Sequence, residues 1–314
     1  MAPGAEGVRF GPREFRFGRR TYIMGVLNVT RDSFSDGGLY LDLDRARRRA
    51  EEMVEEGADV IDVGAESARI HAEKLDPARE LERLVPLVEW MARHLDVAIS
   101  VDTYKSEVAE AVLQAGAHII NDISGLHEDP RMAEVVARHG AGVVVMHLQG
   151  SARRPTDRPR YADVVEEVRA YLQEGVQRAL RAGVKPERIM VDPGIGVGKL
   201  TEHNLALLRA VGRLKELGFP VLVGHSRTSV IGNLTEAPIP ERTAGTLGAT
   251  AALVALGVDM VRVHDVKANV RAARVADAIL RGWVPGHGGD WPFDPVTGEA
   301  LRPLRSLRQM ARED

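Results

Sequence analysis

The sequence contains no cysteine among its 314 residues. This absence excludes disulfide bonds and every metal site that depends on thiolate ligands, because both need the cysteine sulfur. A chain without cysteine is also easiest to place in a reducing compartment. We therefore expect a cytoplasmic protein.

Long apolar segments and a surplus of positive charge are missing as well. No stretch approaches the roughly 18 apolar residues of a membrane helix, and residues 1–15 lack the apolar centre of a secretory signal. We therefore expect neither membrane insertion nor export. The net charge is −3, so there is no excess of Lys and Arg to neutralise a run of phosphates. We expect no nucleic-acid partner, whereas small anions remain possible ligands.

The sequence does contain a regular alternation of apolar and charged segments. Eight short, near-continuous apolar runs are separated by segments of helical spacing, as in residues 44–58. Such runs are typical of parallel strands that are covered on both faces. The runs cover residues 21–29, 58–66, 97–103, 118–124, 141–148, 188–196, 220–226 and 259–266. Eight strand and helix units in succession predict an α/β protein with a closed (β/α)₈ barrel, also called a TIM barrel.

The chain divides into three predicted parts. Residues 1–20 hold two short β segments around a Gly-Pro-Arg-Glu turn, so we expect a hairpin that plugs the bottom of the barrel. The barrel itself is expected over residues 21–282. Residues 283–314 are rich in Gly and Pro and lose the strand and helix alternation, so we interpret them as an irregular C-terminal extension.

Each predicted strand ends in at least one polar residue. In a barrel these ends meet at one mouth, where the active sites of this fold lie, so we expect the polar residues to form one site. They are Asn28, Asp62 with Glu66, Asp102, Asn121, His147, Asp192, Ser226 with Arg227, and Arg262 with His264.

The chemistry of these residues predicts a site with two halves. Carboxylate and amide acceptors suit a flat heterocycle that presents adjacent N–H groups. Guanidinium groups from the last two strands suit an anion such as phosphate. The acceptors are Asp102, Asn121 and Asp192, and the basic residues are Arg227, Arg262 and His264. Asn28 offers a hard oxygen for a Mg²⁺ ion that keeps most of its waters.

The motifs at these positions resemble the ordered motif set of the dihydropteroate synthase family. They run from about residue 20 to about residue 282, and the first motif and the Asp-Pro-Gly motif are highly specific. The motifs are "MGVLNVTRDSFSDGG" (24–38), "IDVGAESAR" (61–69), "SVDTYKSEV" (100–108), "INDISG" (120–125), "VVMHLQG" (144–150), "DPGIGVGK" (192–199), "VGHSRTSVIG" (223–232) and "VRVHDV" (261–266).

The resemblance implies a (β/α)₈ homodimer that joins 4-aminobenzoate to (7,8-dihydropterin-6-yl)methyl diphosphate and releases diphosphate. It assigns pterin binding to Asp102, Asn121 and Asp192, with Met146 lining the ring pocket. It assigns diphosphate and Mg²⁺ contacts to Asn28, Arg69, Arg262 and His264. Ser226 would lie near the aminobenzoate carboxylate, with Arg227 beside it. In the implied mechanism Mg²⁺, Arg69, Arg262 and His264 stabilise the departing diphosphate, while Asp102 and Asp192 favour the developing cation.

Two positions depart from the family pattern. Thr228 stands where the family carries Lys, and Ala68 stands where the family carries Thr in a Ser-Thr-Arg-Pro-Gly loop. A threonine hydroxyl cannot replace the charge of a lysine, so affinity or rate would fall by about one to two orders of magnitude.

The departures leave three hypotheses open. The first is an active synthase in which Lys199 or Arg227 compensates, and the second is a pterin-binding paralogue of weak or no activity. The third is another barrel with a pterin pocket, such as a folate-dependent methyltransferase domain, which the predicted anion-binding residues disfavour. His71 and His225 are interpreted as solvated loop residues near the mouth.

Overall fold

A computed structural model describes residues 7–29, 39–66, 74–156 and 158–282 of the chain. Its central sheet has eight parallel strands, which are β3 (Tyr22–Asn28), β4 (Val60–Gly64), β5 (Ala98–Asp102), β6 (Ile119–Asp122), β7 (Gly142–Met146), β10 (Ile189–Asp192), β11 (Leu222–Val223) and β12 (Met260–Val263). They lie side by side in the order β10-β7-β6-β5-β4-β3-β12-β11. A bridge between Val191 and Val221 joins the two edges of the sheet. The predicted (β/α)₈ barrel is thereby confirmed.

Helices cover the outer face of this barrel. They are α1 (Leu39–Glu55), α2 (Pro77–His94), α3 (Ser106–Gln114), α4 (Met132–Arg138), α5 (Val164–Arg181), α6 (Thr201–Arg209), α7 (Val211–Lys215), α8 (Ser229–Thr235), α9 (Thr243–Ala255) and α10 (Val266–Arg281). Local sequence explains several of their ends. Asp76 caps α2 by accepting a hydrogen bond from the N–H of Arg79, and Asp163 caps α5 in the same way. Gly282 ends α10 in the left-handed conformation that favours glycine.

The apolar core has two parts. The larger part lies between the strands and the helices, where Ala46, Ala50, Met53 and Val54 of α1 are all buried, as the spacing of that helix predicts. The smaller part fills the barrel interior near the N-terminal ends of the strands, with residues such as Met24 and others from each neighbouring strand.

A hairpin closes the lower end of the barrel. It consists of β1 (Val8–Phe10) and β2 (Arg13–Phe15), and its two phenylalanines pack edge to face with ring centroids 5.4 Å apart. Phe10 lies against Gly142, where an added Cβ atom would approach its ring to 2.5 Å. Because the bottom is plugged by this apolar cluster, the opposite end of the barrel is left for a ligand.

Two features differ from the sequence prediction in detail. The seventh run forms only a two-residue strand, β11, because the chain leaves the sheet before His225. A small hairpin of β8 (Gly150–Ser151) and β9 (Arg154–Pro155), which the sequence did not predict, follows β7 near the mouth. The predicted extension at 283–314 lies outside the described residues. Among the described helices, none has the length and apolar character needed to cross a bilayer.

Candidate active site

The register of the strands brings polar residues to one level at the C-terminal end of the barrel. Asn28 of β3 is paired with Gly64 of β4, Gly64 with Asp102 of β5, and Asp102 with Asn121 of β6. Asp192 ends β10. Since all these strands are parallel, their final residues surround a single mouth, as the sequence predicts.

A fully buried carboxylate, Asp62, joins several of these residues from below. It accepts hydrogen bonds from the Oγ of Ser100 at 2.6 Å, the Nδ2 of Asn121 at 3.1 Å and the Nε of Arg262 at 2.6 Å. Arg262 also donates to Asp102 across 3.2 Å. Five residues from four strands are thus held in one hydrogen-bonded unit.

The mouth presents acceptor atoms toward its interior. The Oδ1 of Asn121 is buried and has no hydrogen-bond partner among the residues that the structure describes. Burial raises the pKa of Asp192 to about 6, although the backbone N–H of Gly194 stabilises its charge from 2.6 Å. Burial also raises the pKa of Asp102, against the opposing effect of the Arg262 guanidinium. These features are typical of a site that binds a ligand through N–H donors: an acceptor lacks a partner, and the carboxylates have raised pKa values.

An apolar surface lies beside these acceptors. Met146, at the end of β7, packs in a small buried cluster with Tyr104, Ile123, Leu148 and Ala152. A flat ring needs such a surface against which to stack while its edge is hydrogen-bonded. Met146 therefore lies beside Asp192 at the mouth, and its contact with a ring stays a prediction.

The basic residues of β12 and the loop that follows it are connected to both halves of the site. Arg262 pairs with two carboxylates, as described above, so its guanidinium links the acceptor side to the side expected to hold an anion. The backbone N–H of His264 donates to the Oγ of Ser226 at 3.2 Å, and its Nδ1 lies 3.1 Å from the same atom. Ser226 thereby orients the imidazole at the rim.

Arg227 has a carboxylate partner in the structure. Its Nε and one terminal nitrogen lie 3.0 Å and 2.5 Å from the two oxygens of Asp265. The guanidinium fork that we expected to bind an anion therefore already holds a carboxylate. The same geometry limits the capacity of Arg227 to compensate for a missing lysine at position 228.

The interpretation of His225 as a solvated loop residue is wrong. Its side chain is 0% exposed, and its Nε2 lies 2.8 Å from the Oγ1 of Thr250 in α9. Burial lowers the pKa of His225 to about 4, so the ring is neutral near pH 7. The residue belongs to the wall between β11 and α9, because the chain turns inward after the short strand. His71 lies outside the described residues.

Thr228 and Lys199 flank the loop that follows β10. The Oγ1 of Thr228 donates to the carbonyl of His225 at 2.9 Å, and its methyl group lies over Gly196. The Nζ of Lys199 donates to the carbonyls of Gly194, Val197 and His147 at 2.9, 3.1 and 3.3 Å. Burial lowers the pKa of Lys199 to about 7. The Lys199 ammonium therefore stabilises the backbone of the loop in which it lies.

The donor set for a metal is small. The Oδ1 of Asn28 lies near Gly64 and Asp102 at the rim. Within the described ranges, no group of three or more His, Asp or Glu side chains could hold a metal ion. One amide oxygen fits a Mg²⁺ ion that is held mainly by substrate oxygens and water, and does not fit a permanently bound metal.

Two predicted site residues, Ala68 and Arg69, lie outside the described residues. The sequence places Asp62 at a strand end but does not reveal that it joins Ser100, Asn121 and Arg262. Its signal was a carboxylate inside the apolar run of β4, where burial demands a partner of opposite charge or several donors.

Comparisons with known proteins agree on one family. A family model described as "Pterin binding enzyme" matches residues 24–264. The dihydropteroate synthase of Synechocystis is 44% identical over 272 residues, which cover 86% of this chain and 94% of that protein. The Bacillus subtilis protein of the same name is 44% identical over 278 residues, covering 88% of this chain and 95% of its own length.

Solved structures give the same result. The dihydropteroate synthase from Clostridium difficile, determined in the presence of pteroic acid, superposes with a TM-score of 0.81 at 44% identity and covers 85% of this chain and 99% of its own. The Xanthomonas albilineans enzyme with 4-aminobenzoic acid has a TM-score of 0.82 at 39% identity, covering 91% and 100%.

Proposed function

This chain belongs to the dihydropteroate synthase family, and from that premise we propose how its barrel mouth carries out the transferase reaction. The reaction joins 4-aminobenzoate to (7,8-dihydropterin-6-yl)methyl diphosphate and yields 7,8-dihydropteroate and diphosphate. The observation that carries the proposal is the cluster of acceptors around a bridging arginine at the mouth. No observation favours the weakly active paralogue or the methyltransferase.

The acceptor side would bind the pterin. The N–H groups on one edge of the ring would donate to Asn121, Asp102 and Asp192, while Met146 contacts the ring face. Ligand N–H donors stabilise the ionised form of a carboxylate, so pterin binding would lower the raised pKa of Asp192 and release its proton. The buried Oδ1 of Asn121 would gain the partner that it lacks among the described residues.

The chemical step would break the bond between the pterin methylene and the diphosphate oxygen. The bonding electrons leave with diphosphate, and the methylene becomes cationic until the aromatic amine supplies an electron pair. Asp102 and Asp192 would favour this positive charge, while Arg262 and His264 would stabilise the leaving group. The amine proton can pass to water or diphosphate, so no side chain has to act as the base, and positioning supplies the rest.

Asn28 would hold Mg²⁺ through its amide oxygen, and the bound ion would supply positive charge that stabilises the diphosphate leaving group. Ser226 would stand near the carboxylate of 4-aminobenzoate while it orients His264.

The assembly would be a cytoplasmic homodimer. Support for a dimer comes from exposed apolar side chains on α10, where Val275, Ile279 and Leu280 are 61%, 76% and 52% exposed. Grouped apolar residues on one helix mark protein interfaces in soluble proteins. Light scattering after chromatography should give twice the chain mass, and Ile279→Arg should shift it toward the monomer, whereas an unchanged single-chain mass for the natural protein would contradict the dimer.

Diphosphate release tests the function directly. The purified protein is mixed with both substrates and Mg²⁺, and the release of diphosphate should depend on each component. Asp192→Ala serves as the matched control and should abolish most of the signal. Tight binding of the pterin diphosphate without any release would instead support a binding protein.

A further inference from the structure

Asp62 is a carboxylate that lies below the mouth and is shielded from solvent by its hydrogen-bond partners. Its side chain is 0% exposed, and it receives three hydrogen bonds, from Ser100, Asn121 and Arg262. Two of these donors belong to the proposed substrate site. The carboxylate therefore acts on any ligand only through its neighbours.

We propose that Asp62 is a positioning residue that sets the donor and acceptor polarity of the pterin pocket. The proposal rests on the function given above and extends it to a residue that touches no substrate. It has two parts, one for Asn121 and one for Arg262.

The first part concerns the orientation of the Asn121 amide. A carboxylate can only accept hydrogen bonds, so the amide must turn its NH₂ group toward Asp62, which it does at 3.1 Å. The Oδ1 then faces away from Asp62 as the buried acceptor without a partner in the described residues. Without the carboxylate, the amide could rotate and present a donor to the N–H groups of the ring. Such a reversal places two donors against each other and rejects the ligand.

The second part concerns Arg262. Its Nε is held at 2.6 Å by Asp62, which leaves a terminal nitrogen to reach Asp102 at 3.2 Å. A long arginine side chain loses rotamer freedom when it is fixed, and two carboxylates on one guanidinium supply that restraint. Asp62 thus keeps the positive charge of Arg262 between the ring side and the anion side of the mouth.

Loss and conservative replacement of Asp62 should have different effects. In Asp62→Asn, the amide oxygen can still accept from Arg262 and Asn121, because the hydroxyl of Ser100 can turn to accept from the new NH₂ group. Asp62→Ala offers no acceptor at all. The proposal therefore expects the asparagine variant to restore much of the binding that the alanine variant loses.

The experiment measures the Kd of 6-hydroxymethyl-7,8-dihydropterin, an unreactive probe without diphosphate, and the KM of each substrate. Asp62→Ala should raise the Kd and the pterin KM by about tenfold to a hundredfold, with the aminobenzoate KM changed by less than about threefold. Asp62→Asn should stay within about tenfold of the natural protein. Ser100→Ala removes one hydrogen bond to Asp62 and should raise the Kd by about two- to tenfold. This variant still tests the proposal if Asp62→Ala does not fold.

Asp59 provides a matched control just before the same strand. It is also buried and pairs with Arg20 at 2.7 Å, but it lies at the opposite end of the barrel. Asp59→Ala should lower the melting temperature without changing the Kd of the probe.

The outcomes separate this inference from the function. If the natural protein neither binds the probe nor releases diphosphate, the proposed function fails. If it does both, three results would overturn the role of Asp62: a natural Kd in folded Asp62→Ala, equal increases in both KM values, or no difference between the alanine and asparagine variants. An unchanged Kd in Ser100→Ala would count against it in the same way.

Discussion

Replacing Thr228 with lysine should restore a charge that the family pattern places at the pterin pocket. Thr228 lies with its methyl group over Gly196, on the loop that begins at Asp192. Thr228→Lys would lose the hydrogen bond from Oγ1 to the carbonyl of His225, which spans 2.9 Å. A lysine side chain is long enough to extend past Gly196 toward the ring and to donate to a ring acceptor.

The magnitude follows from the new hydrogen bond to the ring, because the Thr228 bond is made within the protein whether or not a ligand is bound. Losing that neutral bond lowers stability by about 0.5–1.5 kcal/mol, whereas a bond from a charged donor to the ring contributes about 1.5–3 kcal/mol to binding. Pterin binding should therefore tighten by about one to two orders of magnitude. Lys199 does not already fill this role, because its ammonium donates to three backbone carbonyls of the loops below.

The assay compares Thr228→Lys with Thr228→Met, which has similar length and no charge. Diphosphate release and probe binding are measured for both variants and for the natural protein. Only the lysine variant should have a lower KM for the pterin substrate than the natural protein. Equal values for lysine and methionine would refute the reasoning, because the missing charge would then have no effect at this position.

Three further predictions follow from the structure. Pterin affinity should fall by at least about tenfold per pH unit below the Asp192 pKa of about 6, because protonation removes an acceptor that the ring needs. Calorimetry should show this dependence, and Asp192→Asn should make it shallower without abolishing it, because burial also raises the pKa of Asp102. Lys199→Met should leave three loop carbonyls without their donor, and should lower both the melting temperature and the pterin affinity. A lower melting temperature with unchanged affinity would contradict the idea that this loop contributes to pterin binding. Gly142→Ala should cost about 1–3 kcal/mol of unfolding free energy in denaturant titrations, because the new methyl group meets Phe10, and it should leave the KM values unchanged.

The barrel was predictable because its signal is local and repeated. Each strand is an apolar run, and each helix such as α1 carries an apolar stripe that the structure buries. The register of parallel strands then places their ends together without further information. The sequence prediction is wrong where a side chain's environment depends on remote segments. His225 is polar and was expected to be solvated, but the tertiary fold buries it.

The sequence alone determined the fold class and the chemical inventory of the mouth, since strand periodicity and the position of polar residues at strand ends are properties of the chain order. Tertiary structure alone decided the partners of those residues. Arg227 pairs with Asp265, Lys199 with loop carbonyls, and Arg262 with Asp62, which is 200 residues away in the chain. Side-chain hydrogen bonds need donor–acceptor distances of about 3 Å, correct to within a few tenths of an ångström, between segments that are remote in the chain, and no periodicity along the sequence encodes them.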